Sequence, residues 1–123
     1  MYISSLNALG KKISVLFFKS DNGKEPVRDW LLGLPAADRK IVGEDIKTVE
    51  FGWPIGMPVC RPIGGNLYET RSTLSDGTEA RILFTLFKSD MVLLNGFIKK
   101  TQKTPKREMD IAKRRSQKFK TIK

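Results

Sequence analysis

The chain has 123 residues, 40% of them apolar, and a formal net charge of +10. That length suits one domain with a real core, and no apolar run approaches the ~20 residues a membrane span needs. The single cysteine, Cys60, excludes an internal disulfide, and the lack of histidine excludes His-ligated zinc and Ser–His or Cys–His nucleophile pairs.

Residues 1–12 read as an extension to a single domain spanning 13–120. The extension has neither a basic leader nor a long apolar run, so the expected location is cytoplasmic, with no membrane partner. "KISVLFFKS" (Lys12–Ser20) is β-branched and aromatic and predicts a first strand. "DNGKEP" is a turn, and Pro26 suits the first position of a helix. Val27, Trp30, Leu31 and Leu34 share one face of that helix. Pro35 opens a second helix. Ile41, Val42, Ile46 and Val49 line its apolar side; Asp38, Lys40, Glu44 and Lys47 line the other. The two form an αα-hairpin.

"FGWPIGMPVCRPIGGN" carries three prolines and four glycines. It can be neither a helix nor a central strand, and reads as a structured loop with room for one short extended piece. Three strands follow, Leu67–Thr73, Glu79–Lys88 and Met91–Ile98, with turns at Asp76-Gly77 and Ser89-Asp90. Thr104 is an N-cap candidate with Pro105 at the first helical position, so a last helix is expected over about Pro105–Phe119. Met109, Ala112 and Phe119 form its thin apolar face. The expected fold is a small α+β domain of order β-α-α-β-β-β-α. Its mainly antiparallel sheet carries the helical hairpin on one face, and the other face is at least partly open.

Charge is unevenly placed. Met1–Leu94 holds 12 Lys and Arg against 11 Asp and Glu; Asn95–Lys123 holds 11 against 2. A one-ended excess suits a polyanion or an acidic partner surface. Within "GFIKKTQKTPKRE", Lys99, Lys100, Lys103, Lys106 and Arg107 cluster at a helix start, where acids are normally favoured. Cations added to the free N–H groups of a helix start make a phosphate site, which is the reading preferred here over a merely solvated basic face.

Two further clusters lie on predicted strands. In "LYETR", Leu67, Glu69 and Arg71 share one face. In "ARILF", Arg81 is flanked by apolar residues. A two-residue Asp76-Gly77 loop would pair Arg71 with Ile82 and set the arginines on opposite faces. A three-residue Ser75–Gly77 loop, with Gly77 left-handed, would pair Arg71 with Arg81, and this register is the expected one. Like charges so placed repel unless an anion lies between them. In the plainer alternative, Arg71 pairs with Glu69 or another acid and Arg81 reaches solvent at a sheet edge.

"LYETR", "DGTEARILF" and "LLNGFIKKTQKTPKREMDIAKRR", with "EPVRDWLLGLP" upstream, resemble the RelE/HigB superfamily of type II toxin–antitoxin toxins. The resemblance is to its phage-derived Gp49-like (HigB-like) branch and covers about Lys12–Arg115. It implies a RelE-like fold and a toxin that cleaves mRNA, often on the ribosome, with no metal or other cofactor. It also implies a cognate antitoxin, commonly a helix-turn-helix DNA-binding protein. Carried over by position, the active-site cations are Arg71, Arg81, Lys99, Lys100 and Lys103. Members often carry His where this chain has Asn95.

RNA brings its own nucleophile, the 2′-OH, so cleavage needs alignment, a base and charge stabilisation. Arg71 and Arg81 are candidates to clamp the phosphate. Lys99 and Lys100 are candidate bases, with Glu69 and Tyr68 as alternatives. Lys103, Lys106, Arg107, Lys113 and Arg114 are candidates to bind flanking RNA. Two other readings are a non-cleaving toxin of the same fold that inhibits a protein such as gyrase, and a basic nucleic-acid-binding module.

Overall fold

The apolar run that opens the domain pairs as a short strand, β1 (Ser14–Phe17), in a computed structural model that describes residues 10–56, 59–100 and 104–122. Two helices follow, α1 (Pro26–Leu32) and α2 (Ala36–Gly52), then strands β2 (Cys60–Gly64), β3 (Leu67–Thr73), β4 (Glu79–Phe87) and β5 (Asp90–Lys99), and a last helix α3 (Lys106–Ile122). The sheet order is β1-β5-β4-β3-β2. β1 lies parallel to β5; all other pairs are antiparallel. The fold is the α+β domain expected, with a fourth strand before α3 added to the meander. That strand, β2, is the short extended piece of the Pro/Gly segment. It sits at the sheet edge, where Pro62 withholds no hydrogen bond a central strand would need.

Alternation in the strands splits the core in two. On one face, Ile82, Phe84, Met91 and Leu93 meet Val27 of α1 and Val42, Ile46 and Val49 of α2. On the other, Leu83, Val92, Leu94 and Phe97 meet Ala112 and Phe119 of α3. A register shift between Leu83 and Phe84 against β5 brings Leu94 as well as Asn95 to the α3 side. Burial of each large side chain stabilises by about 1.5–3 kcal/mol. Gly96 admits close packing: the Trp30 ring lies so near that an added Cβ would sit 2.6 Å from its Cε3.

Four local expectations are corrected. Asp38, assigned by period to the outer side of α2, is 7% exposed. Its Oδ1 accepts the N–H of Ser75 (3.0 Å) and the Ser75 hydroxyl (2.8 Å). A buried acceptor with two donors is stable where a bare carboxylate is not. The β4–β5 turn falls one residue earlier, at Lys88-Ser89, since Phe87 already pairs with Asp90. Lys88 takes φ 57°, as a two-residue hairpin turn requires. α3 starts at Lys106 and runs to Ile122. Its first bond, from Met109 N–H to the Pro105 carbonyl, makes Pro105 the cap residue, and the Thr104 hydroxyl turns instead to Glu69.

Candidate functional site

The β3–β4 hairpin sets the site. Its loop is Ser75–Gly77: Leu74 N–H bonds the Thr78 carbonyl (2.8 Å), and Gly77 has φ 86°. Asp38 holds Ser75 from below, and Asp76 Oδ1 accepts both the N–H and hydroxyl of Thr78. Arg71 therefore lies directly opposite Arg81, with Glu69 opposite Leu83 and Thr73 opposite Glu79. Next door, Glu79 pairs with Lys99 and Arg81 with Phe97. Arg61 of β2 pairs with Glu69. One end of the α3-bearing face thus gathers Arg61, Arg71, Arg81 and Lys99 around Glu69 and Glu79.

The like charges are offset by the chain's own carboxylates. Glu69 Oε1 accepts Arg81 Nη1 at 2.7 Å and Arg61 Nε at 3.0 Å, and its Oε2 accepts the Thr104 hydroxyl at 2.6 Å. Arg81 Nη2 bonds Glu79 Oε1. β4 is the central strand, so Arg81 is not at an edge: it is 1% exposed, and the alternative in which it reaches solvent at a sheet edge is overturned. Glu69 is 0% exposed. Four cations against two carboxylates leave the cluster positive. A charge-assisted pair is stronger than a neutral hydrogen bond, but removing one partner of a buried pair strands the other.

The titrations follow from this packing. Burial pushes Glu69 up, yet the hydrogen bonds from Thr104 and Arg61 and the charges of Arg81 and Arg61 outweigh it and hold the carboxyl below its ordinary range. The hydrogen bond from Arg81, with the charges of Arg81, Arg71 and Lys99, outweighs burial and holds Glu79 down as well. Lys99 is lowered, first by burial and then by Arg81, with Arg61 and Arg71 adding to this and Glu69 opposing it. On the opposite sheet face, burial and then the Glu69 charge push the Cys60 thiol up to about 11, which leaves it a poor nucleophile.

The remaining candidates separate. Lys100 follows β5 and is exposed; Lys103 lies outside the described residues. Lys106, Arg107, Lys113 and Arg114 are exposed on α3, Lys106 in an ordinary surface pair with Asp110 (2.7 Å). Tyr68 points to the opposite face, against Trp53 and Phe84. Asn95 is 8% exposed and donates to the Glu108 carbonyl and carboxylate (3.2 and 2.7 Å), tying β5 to the first turn of α3.

Sequence reasoning missed Arg61, Glu79 and Thr104. Arg61 had a signal: it is the one charged residue in the sixteen-residue Pro/Gly segment. Local sequence favours a capping role for Thr104, although its tertiary partner is Glu69. Glu79 follows from the register once Arg71 is set opposite Arg81.

A family model described as phage derived protein Gp49-like (DUF891) matches residues 29–117. The chain belongs to this family, which is part of the RelE/HigB-like toxin–antitoxin group. No curated protein matches the chain.

Proposed function

We propose that the domain, residues 13–120, is the toxin of a type II toxin–antitoxin pair and cleaves mRNA during translation by attack of the 2′-OH. Its antitoxin is a helix-turn-helix protein with an acidic contact surface. The observation that carries this reading is the convergence of Arg61, Arg71, Arg81 and a lowered Lys99 on one sheet face beside the start of α3.

In this reading neutral Lys99 Nζ takes the proton of the 2′-OH. The 2′ oxygen bonds to the adjacent phosphorus, the bond to the 5′ oxygen breaks, and that oxygen takes a proton from solvent. The products end in a 2′,3′-cyclic phosphate and a 5′-hydroxyl. Arg71, half-buried, stabilises the growing charge on the phosphate. Glu69 acts as the rigid floor that holds Arg61 and Arg81 in place. Both Glu69 oxygens already accept hydrogen bonds, so Glu69 serves as a counterion rather than a base. Lys100, Lys103, Lys106, Arg107, Lys113 and Arg114 hold flanking phosphates.

The test is purified protein on end-labelled RNA in excess chelator, with the product ends identified. The cleavage rate should rise with pH as the Lys99 ammonium deprotonates, reaching its plateau below the ordinary lysine value. Lys99→Arg, which stays protonated, should bind RNA and not cut it. A pH-independent rate, or full activity in Lys99→Arg, would remove Lys99 as the base. One observation favours the non-cleaving alternative: Arg81 is sealed against Glu69 and Glu79, as suits a scaffold with no phosphate to hold. Growth arrest with intact RNA would decide for that reading.

A further inference from the structure

Arg81 presents two edges. Nη1 is bound by Glu69, which is 0% exposed and also holds Arg61 and Thr104. On the other edge Nη2 bonds Glu79, while the adjacent Nε is buried and has no hydrogen-bond partner among the described residues. The Nε–Nη2 edge of a guanidinium fits two oxygens of one phosphate side by side. Here it carries a single carboxylate oxygen. The two acids differ in freedom: Glu79 has a side chain 43% exposed, on the first residue of β4, opposite Lys99. It can swing to solvent without opening the core; Glu69 cannot.

We propose that Glu79 is a built-in competitor for a phosphodiester, occupying the Arg81 Nε–Nη2 edge between Arg71 and Lys99 until a phosphate displaces it. The inference rests on the phosphate-binding part of the function proposed above, not on cleavage. Glu79 is a positioning residue: it acts by withholding Arg81 and by keeping the sheet arginines ordered in the absence of ligand. The incoming phosphate supplies Nε with the acceptor it lacks and leaves Glu79 solvated. The exchange is of one anion for another, so the site is never left with paired arginines and no counter-charge. Glu69 alone remains as the permanent floor.

The test uses two probes on the full chain, inorganic phosphate and a 2′-deoxy oligonucleotide that cannot be cleaved. Glu79→Gln should bind both about tenfold more tightly than wild type, the size expected from relieving one charge a few ångströms from the ligand near a surface. Glu44→Gln, which removes one exposed acid on α2, serves as the control and should change binding less than twofold. Loss of affinity, or equal gains in the two variants, overturns the proposal: the first means Glu79 supports the site, the second a long-range charge effect. Tightening for the oligonucleotide but not for inorganic phosphate also overturns it, because it places the gain outside the Arg81 edge. In wild type, the Arg81 Nε–H resonance should shift on saturation with phosphate, and a resonance that stays fixed sinks the idea independently of any variant. RNA cleavage is scored separately. Tighter phosphate binding by Glu79→Gln with no cleavage by any form keeps this inference and removes the nuclease reading; cleavage with unchanged phosphate binding does the reverse.

Discussion

Arg81→Ala tests the burial of the central ion pair most directly. The side chain is 1% exposed and bonds a carboxylate that is 0% exposed. Removing one partner of such a pair costs about 3–5 kcal/mol, because the other charge stays buried. Glu69 keeps Arg61 at 3.0 Å and the Thr104 hydroxyl at 2.6 Å, which places the loss at the lower end, about 3 kcal/mol. For a domain of roughly 100 residues that corresponds to a fall in Tm of about 10–20 °C. Urea denaturation at neutral pH, followed by circular dichroism, gives the free energy, and a thermal melt gives Tm. Adding Glu69→Gln to Arg81→Ala should recover part of the loss, since it removes the stranded charge; the coupling is read from the four-variant cycle. A loss under about 1 kcal/mol for Arg81→Ala would refute the reasoning, because that is the range of exposed ion pairs. The same result bears on toxicity assays. If Arg81→Ala unfolds the protein at growth temperature, relief of arrest says nothing about chemistry, so Arg71 and Lys99 are the better first targets.

Gly96→Ala should destabilise by about 1–3 kcal/mol in the same denaturation assay, the usual effect of overpacking, because its Cβ would fall 2.6 Å from Trp30 Cε3; a neutral result would mean that α1 slides freely on the sheet. Glu69 predicts the acid limb of stability. Its folded pKa lies below the unfolded value, so its contribution is full above that value and is lost as pH falls through the folded one. Glu69→Gln should flatten stability against pH below about 4.5, and an unchanged acid limb would exclude Glu69 as its source. Neutralising Lys106, Arg107, Lys113 and Arg114 should reduce the slope of log affinity against log salt for single-stranded RNA by about 0.7 for each phosphate that is no longer neutralised. An unchanged slope would make α3 a solvated face.

Legibility followed locality. The 3.6-residue period of α1 and α2, the alternation in β3–β5 and the Asp-Gly turn are written in neighbouring residues, and the fold follows from them. The hairpin register was legible too: Gly77 has the positive φ that a three-residue loop needs, and this sets Arg71 opposite Arg81. Depth was not legible. Whether Arg81 lies on an edge or a central strand depends on β1 joining β5 and β2 joining β3, pairings that no local pattern around Arg81 encodes. Asp38 and Thr104 escape a local reading for the same reason, since each trades a good local role for a tertiary partner, Ser75 and Glu69 respectively.

The net charge of +10 is therefore not one feature but three. Some cations are structural: Arg81 and Arg61 clasp Glu69, Lys11 meets Glu50, and Arg115 donates to the Leu94 carbonyl (2.7 Å) and faces the Phe18 ring. Burial lowers the Arg115 pKa, and its loss would disturb packing, so it does not belong in a test of surface charge. Others, Lys106 with Asp110 and Lys118 with Asp21, sit in surface pairs that contribute little to stability. A third set, Arg107, Lys113 and Arg114, is exposed on α3 with no acid within ion-pairing distance among the described residues. An acidic partner gains most against this third set, because those charges leave water only on binding and surrender no internal bond. Association driven that way should be fast and salt-sensitive. The buried set around Glu69 contributes shape and a fixed positive field instead. The basic run at the start of α3 reflects this division: Thr104 ties that end to the buried network, while Lys106 and Arg107 turn outward to solvent.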